Sequence, residues 1–181
     1  MNQIIRIIGG KHRGKKLHFP MVEGLRPTPD RVRETLFNWL MNDICGSKCL
    51  DAFAGSGAIG FEAYSRGALS VKLLENNSKV YLNLIKEANN FNSPSISIEK
   101  NDACKFLTET KETFNIIFLD PPFAKNYLPI CINAIENSNA LEKEGLLYLE
   151  SGEEIIINKS IWQELKSKKT GQVIYSIYKK L

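Results

Sequence analysis

No stretch of this 181-residue sequence approaches the roughly 18 consecutive apolar residues that span a bilayer, so a membrane-embedded chain is not expected. The opening Met1-Asn2-Gln3-Ile4-Ile5-Arg6 lacks the long uninterrupted apolar region of a signal peptide and reads as part of the mature fold. Cysteine is scarce: of Cys45, Cys49, Cys104 and Cys131, only the first two are close in sequence, and the two histidines, His12 and His18, lie in another segment. That spacing offers neither a disulfide framework nor a set of zinc ligands. The four are expected to be buried thiols of a cytoplasmic protein without a metal. Repeats and low-complexity tracts are also missing, as is any strong dimerisation stripe, which leaves a monomer as the default. With 43% apolar and 24% charged residues, the remaining reading is an ordinary globular chain of about one domain. A chain of this length buries roughly 70% of the surface it exposes when unfolded and needs no covalent staples.

The formal net charge of +4 is unevenly placed. Residues 1–33 hold eight Lys and Arg against two acids, a net +6, whereas residues 34–181 hold sixteen against eighteen, a net −2. The basic residues Arg6, Lys11, Arg13, Lys15, Lys16 and Arg26, with His12, are candidates to contact a nucleic-acid backbone, which is recognised by clustered positive charge. Residues 3–8 and 15–19 read as a hairpin around the tip Gly9-Gly10-Lys11-His12-Arg13-Gly14, whose glycines suit close approach to such a backbone. An extended Leu25-Arg26-Pro27-Thr28-Pro29 follows, and Thr28 or Asp30 is placed to cap a helix carrying Val32, Leu36, Trp39 and Leu40 to about residues 42–46.

From Ser47 onward strands and helices alternate. Strands are expected at 49–53, 70–75, 96–98, 115–120, 145–150 and 172–178, with helices at about 58–66, 78–91, 103–109 and 127–137. This order argues for an α/β fold with a mainly parallel, doubly wound sheet. Ligands of such sheets bind beyond the carboxyl ends of the strands, where the strand order reverses.

Two motifs stand at expected strand ends. The first is Asp51-Ala52-Phe53-Ala54-Gly55-Ser56-Gly57, with Glu75 closing the next strand 18 residues after Gly57. Glycines here let backbone approach a ligand closely, and an acid about 20 residues on suits a ribose hydroxyl. The match extends to Gly60, so a nicotinamide dehydrogenase also fits this motif. Asp51 ends an apolar strand, and a carboxylate so placed must meet water or a charged or donor group, such as the cationic portion of an amino acid.

The second motif is Asp120-Pro121-Pro122-Phe123. Successive prolines end the strand, donate no hydrogen bond and hold their carbonyls rigidly. Asp120 and the Pro121 carbonyl form an acceptor pair for an amino group, Pro122 stiffens the loop, and Phe123 offers a ring on which a nucleobase can stack. Acceptors pulling on both N–H bonds make a delocalised exocyclic amine more tetrahedral and more nucleophilic. A base drawn from a stacked helix would have to flip into such a site.

Together the two motifs resemble those of class I S-adenosylmethionine-dependent amino-methyltransferases. More narrowly, Arg6-Ile7-Ile8-Gly9-Gly10, Arg13-Gly14-Lys15-Lys16-Leu17 and the run from Leu25 to Leu40 resemble the bacterial 16S ribosomal RNA guanine-N2 methyltransferases of the D type. The likeness continues to Gly171-Gln172-Val173. The resemblance implies a Rossmann-like, mainly parallel seven-stranded sheet with helices on both faces. It also implies an N-terminal hairpin extension over residues 1–28 and a catalytic domain over 29–181.

The cofactor it implies is S-adenosyl-L-methionine. Phe53, Ala54, Gly55, Ser56 and Gly57 would surround the methionine portion together with Asp51 and Asp120. Glu75 and Asn76 would take the ribose, and Asp102 and Ala103 the adenine. Residues 28–34, with Thr28 and Arg33, would close over it. The implied partner is 16S rRNA in a partly assembled small ribosomal subunit. An adenine-N6 methyltransferase acting on DNA or RNA shares the second motif, and a catalytically silent assembly factor would need only the basic segment.

Overall fold

The computed structural model describes residues 2–122 and 126–181. Strands β1 (Asn2–Arg6) and β2 (Lys16–Pro20) pair antiparallel, with Ile5 opposite Leu17. The hairpin has no core of its own: Ile5, Ile7, Leu17 and Phe19 are buried in the same apolar cluster as residues of the main sheet. Its glycine tip is also used differently from the expectation. A Cβ on Gly10 would fall 1.9 Å from the Ser65 carbonyl oxygen, and Lys11 N–H donates to that oxygen at 2.7 Å. The close approach that glycine permits is therefore to the protein itself.

Helix α1 (Asp30–Trp39) begins at Pro29 without a side-chain cap, one turn shorter than expected. Thr28 is drawn away from capping by the loop after the fourth parallel strand, and Asp30 lies inside the first turn, paired with Arg33. The body then alternates β3 (Lys48–Asp51), α2 (Ala58–Ser65), β4 (Ser70–Leu74), α3 (Ser78–Asn89), β5 (Ile96–Glu99), α4 (Ala103–Glu109), β6 (Phe114–Leu119) and α5 (Tyr127–Glu136). It ends with β7 (Leu141–Ser151), β8 (Trp162–Thr170) and β9 (Val173–Lys180). The seven strands are ordered β5-β4-β3-β6-β7-β9-β8. The first five are parallel, and β9 runs antiparallel to both β7 and β8.

Side chains alternate across the sheet as strand geometry requires. Cys49, Ile116, Phe118 and Tyr148 face the cluster containing α1, α2 and α3, whereas Leu50, Ile117, Leu119 and Leu147 face the one containing α4 and α5. Helices thus cover both faces. Cys49 and Cys131 are buried as expected, but Cys45 is exposed and Cys104 is half-buried. Strand β8 was not anticipated, since after Trp162 its residues are exposed almost throughout and carry no apolar alternation. It forms because β9 offers an open ladder edge along its full length.

Candidate active site

Strand order reverses between β3 and β6, so their carboxyl ends border a crevice. A cavity of about 630 Å³ opens there, within the size range of small-molecule sites. Its wall includes Asp51, Phe53, Ala54, Gly55, Ser56, Glu75, Asn76 and Ala103, all anticipated for the cofactor, together with Thr28, Asp120, Pro121 and Pro122. Phe123 lies outside the described residues.

The glycine loop is shaped by its surroundings. Gly57 caps α2 at φ 77°, and a Cβ there would lie 2.4 Å from the Phe61 ring. It supports the loop from behind, outside the cavity wall. Gly55, at φ 51°, faces the cavity, and its N–H donates to Glu75 Oε2 at 3.1 Å. Asn77 N–H donates to Glu75 Oε1 at 2.8 Å, so the carboxylate is fixed by backbone on both sides. Each oxygen keeps a second lone pair for a ligand hydroxyl.

Besides Gly57, two residues anticipated for the cofactor stand outside the wall. Asp102 accepts from Lys105 N–H and caps α4, leaving its neighbours Asn101 and Ala103 to form the wall. Arg33 is fully buried beneath the hairpin, where Nη1 donates to the Arg6 carbonyl at 3.0 Å and lies 3.4 Å from Glu62 Oε2. A guanidinium without water seeks an anion and carbonyls, and Glu62 supplies both the charge and the direction. Arg33 is therefore a fastening between α1, α2 and β1 and does not line the cavity.

Besides the exposed Glu23, the cavity wall carries a buried acid that the motifs did not flag, Glu150. Asp51, Asp120 and Glu150 all lie on the α1–α3 side of the sheet, at the ends of β3, β6 and β7. Burial raises the Asp51 carboxyl to about 7, and the charges of Asp120 and Glu75 add to the shift. Hydrogen bonds to Asp51 from backbone, including Gly60 N–H at 2.9 Å, only partly offset it. Burial likewise raises Asp120 and Glu150, and the charge of Asp120 makes Glu150 harder to ionise. The Thr28 hydroxyl donates to Asp120 Oδ2 at 3.1 Å, and Tyr148 donates to Glu150 Oε1 at 2.8 Å.

Among the described residues none of these three acids has an ion-pair partner, and no group of three or more His, Cys, Asp or Glu is arranged to hold a metal ion. What the cavity asks for is an organic cation with several N–H or O–H donors.

The acids predict a pH effect on the ligand-free protein. Folded Asp51 holds its proton to about pH 7, whereas an unfolded Asp releases it near 3.9. The folded state binds more protons between those values, so this group's contribution is fully present below about pH 4 and is lost as pH rises to about 7. The stability of wild type relative to Asp51→Asn should therefore fall across that window, by at most about 1.4 kcal/mol per pH unit. Urea unfolding of both proteins at several pH values measures the slope, and a flat difference would mean that Asp51 is ionised without penalty.

Known proteins share this arrangement over nearly the whole chain. The family profile described as "Conserved hypothetical protein 95" matches residues 5–179. Ribosomal RNA small subunit methyltransferase D of Escherichia coli strain K12 is 43% identical over 178 residues, covering 97% of this chain and 90% of that protein. The chain belongs to the ribosomal RNA small subunit methyltransferase D family. The family member of Haemophilus influenzae is 42% identical over 179 residues, covering 96% of this chain and 93% of its own. Among solved structures, the yhhF protein of Escherichia coli matches with a TM-score of 0.89 at 44% identity over 98% of each chain. Membership in the methyltransferase D family accounts for both motifs at once, whereas a nicotinamide dehydrogenase leaves the Asp-Pro-Pro loop unexplained.

Proposed function

We propose that the protein transfers a methyl group from S-adenosyl-L-methionine to the exocyclic N2 of a guanine in the 16S rRNA of the small ribosomal subunit. The observation that carries this reading is the acid-rich cavity at the strand reversal, walled by the Gly55 loop on one side and by Asp120 and Pro121 on the other. When bound, the cofactor supplies a methyl group on a cationic sulfonium, and its ammonium is a second positive charge for the unpaired acids.

The chain's own residues then divide the work. Glu75 takes the ribose hydroxyls on lone pairs left free by Gly55 and Asn77. Asn101 and Ala103 flank the adenine, while Phe53, Ala54, Gly55 and Ser56 enclose the methionine portion. Phe53 is held at 5.4 Å from the Tyr127 ring. Asp120 and the Pro121 carbonyl accept the N–H bonds of the guanine amine and set its nitrogen towards the methyl carbon. Positioning of this kind supplies up to roughly 7–11 kcal/mol of a bimolecular barrier. Thr28 covers Asp120 and keeps it in place.

The hairpin of residues 1–28 serves as the RNA-binding extension of a catalytic domain over 29–181, and the working substrate is a partly assembled subunit in the cytoplasm, met by a monomer. Arg6, Lys11, Arg13, Lys16 and Arg26 are exposed and available to phosphates. Lys15 donates to the Asn90 carbonyl at 2.8 Å and sits 4.7 Å from the Phe91 ring centre. His12 stacks on Tyr64, and burial with the charges of Lys11 and Lys15 lowers its pKa. Replacing Lys11, Arg13 and Lys16 together with Ala should therefore reduce the salt dependence of RNA binding by roughly 0.7–0.9 log units per lost phosphate contact. Binding isotherms over a salt series measure this, and an unchanged slope would move the RNA elsewhere.

The deciding experiment is tritium transfer from labelled cofactor to small-subunit particles from a strain lacking the protein, followed by nucleoside analysis. Label in N2-methylguanosine is the expected result. Label in N6-methyladenosine would keep the chemistry and change the base, and no label despite cofactor binding would point to a silent assembly factor.

A further inference from the structure

Glu150 is a buried acid in the cavity for which the cofactor has no evident use. The groups assigned to the cofactor lie on β3, β4, β5 and the loops after them, all to one side of Asp120. Glu150 is the penultimate residue of β7, on the other side of Asp120. The last paired residues of β6 and β7 are Leu119 and Leu149, so Asp120 and Glu150 are the next residues of two adjacent strands. Both continue the alternation of Phe118 and Tyr148 and point to the same face. Two carboxylates thus stand side by side along the part of the cavity left for the target base, Asp120 beneath Thr28 and Glu150 beside Tyr148.

We propose that Glu150 is a specificity residue that accepts the N1–H of guanine while Asp120 accepts an N2–H. The inference rests on the guanine-N2 reading above. Ionised carboxylates are acceptors only. The matching edge of guanine presents N1–H and the N2 amine, a row of donors. Adenine presents a bare N1 acceptor beside its amine, which would set a lone pair against the Glu150 carboxylate. Such a site admits guanine by complementarity and turns adenine away by repulsion, because a buried polar group left unpaired by the wrong substrate is costly.

The Tyr148 hydroxyl holds Oε1 and fixes the direction of the carboxylate before any base arrives. The groups that share its surroundings are Tyr148, Asp120, Asp51 and the Thr28 hydroxyl. Only the ionised form of Glu150 reads guanine, and burial with the charge of Asp120 raises this carboxyl to about 8, so transfer by wild type should climb with pH towards that value.

Glu150→Gln tests this, because the amide keeps the volume and can still accept from Tyr148 but turns a donor or a neutral carbonyl to the base. The full-length variant and wild type are compared on small-subunit particles lacking the modification, with cofactor affinity measured by calorimetry. Cofactor affinity should stay within about twofold. The kcat/KM for N2-methylguanosine formation should fall roughly 10- to 100-fold, the range for a lost hydrogen bond to a charged group, and the acid limb should shift to lower pH.

Glu150→Asp, which keeps the charge, should retain the limb and recover part of the loss, and it carries the test if the Gln variant does not fold. Wild-type transfer with an unchanged pH profile would overturn the proposal. Loss of cofactor affinity in parallel with transfer would overturn it too, by placing Glu150 in the cofactor site. If wild type itself forms no N2-methylguanosine, the guanine reading has failed. If it does and Glu150→Gln matches it, only this inference has.

Discussion

Asp120→Ala should reduce methyl transfer to small-subunit particles by roughly 100-fold or more, the lower range for removing a positioned proton acceptor, while cofactor affinity changes little. The two outcomes separate because Asp120 stands between the two halves of the cavity. The Gly55 loop, Glu75 and Ala103 follow β3, β4 and β5, and among the described residues none of them leans on Asp120 through a hydrogen bond. What is lost is the acceptor that draws on the target amine.

Folding should not suffer in proportion. Asp120 is a buried acid whose charge works against Asp51 and Glu150, so its removal lets both ionise more easily. Stability at about pH 8 should be unchanged or higher than in wild type. Single-turnover transfer, calorimetric cofactor binding and thermal unfolding on one preparation make the comparison. Turnover equal to wild type would remove Asp120 from the chemistry. A collapse of all three readings would recast it as a structural acid that needs its bond from Thr28.

The parts of this molecule that were legible in the sequence are those in which one residue type has one use. Cys49-Leu50-Asp51 and Asn115 to Leu119 announce buried parallel strands because both of their faces are apolar. The Asp-Pro-Pro loop announces a rigid acceptor corner because proline leaves the backbone few alternatives. Arg33 was misplaced for the opposite reason. A guanidinium in a motif-rich segment can serve a ligand or a buried acid, and only the fold brings Glu62 to it from 29 positions away. Strand β8 carries no periodic signal, since its partner β9 provides the ladder while solvent takes the side chains. Glu150 was legible in principle: like Asp51, it is a carboxylate that closes an apolar run, here Leu146-Leu147-Tyr148-Leu149. No turn motif beside it drew attention to that signal.

The second large effect is expected from Glu62→Ala, far from the cavity. Glu62 sits in α2 with no solvent exposure and accepts four bonds from three directions. Ile8 N–H at 2.9 Å and Gly9 N–H at 2.8 Å arrive from the hairpin, Arg66 Nε at 2.7 Å from the end of the same helix, and Arg33 at 3.4 Å from α1. Truncation takes from Arg33 its fully buried anion and leaves it the largely exposed Asp30, with an Nε that already has no partner among the described residues, and strands two backbone donors at the exit of β1.

Breaking a buried pair from one side costs about 3–5 kcal/mol. In a protein of this size that lowers the melting temperature by about 2–4 °C per kcal/mol, so a drop of roughly 10 °C is expected. The loss should begin at the hairpin, because Lys11 and His12 are tied to Ser65, three residues further along α2. Limited trypsin digestion of folded Glu62→Ala should therefore cut after Lys11 or Arg13 well before the sheet opens, and RNA binding should weaken with it while cofactor affinity persists. Uniform resistance to trypsin at a lowered melting temperature would mean that the apolar contacts of Ile5, Ile7, Leu17 and Phe19 hold the hairpin unaided. Glu62 would then be a cost of burying Arg33 rather than the fastening of the RNA-binding arm.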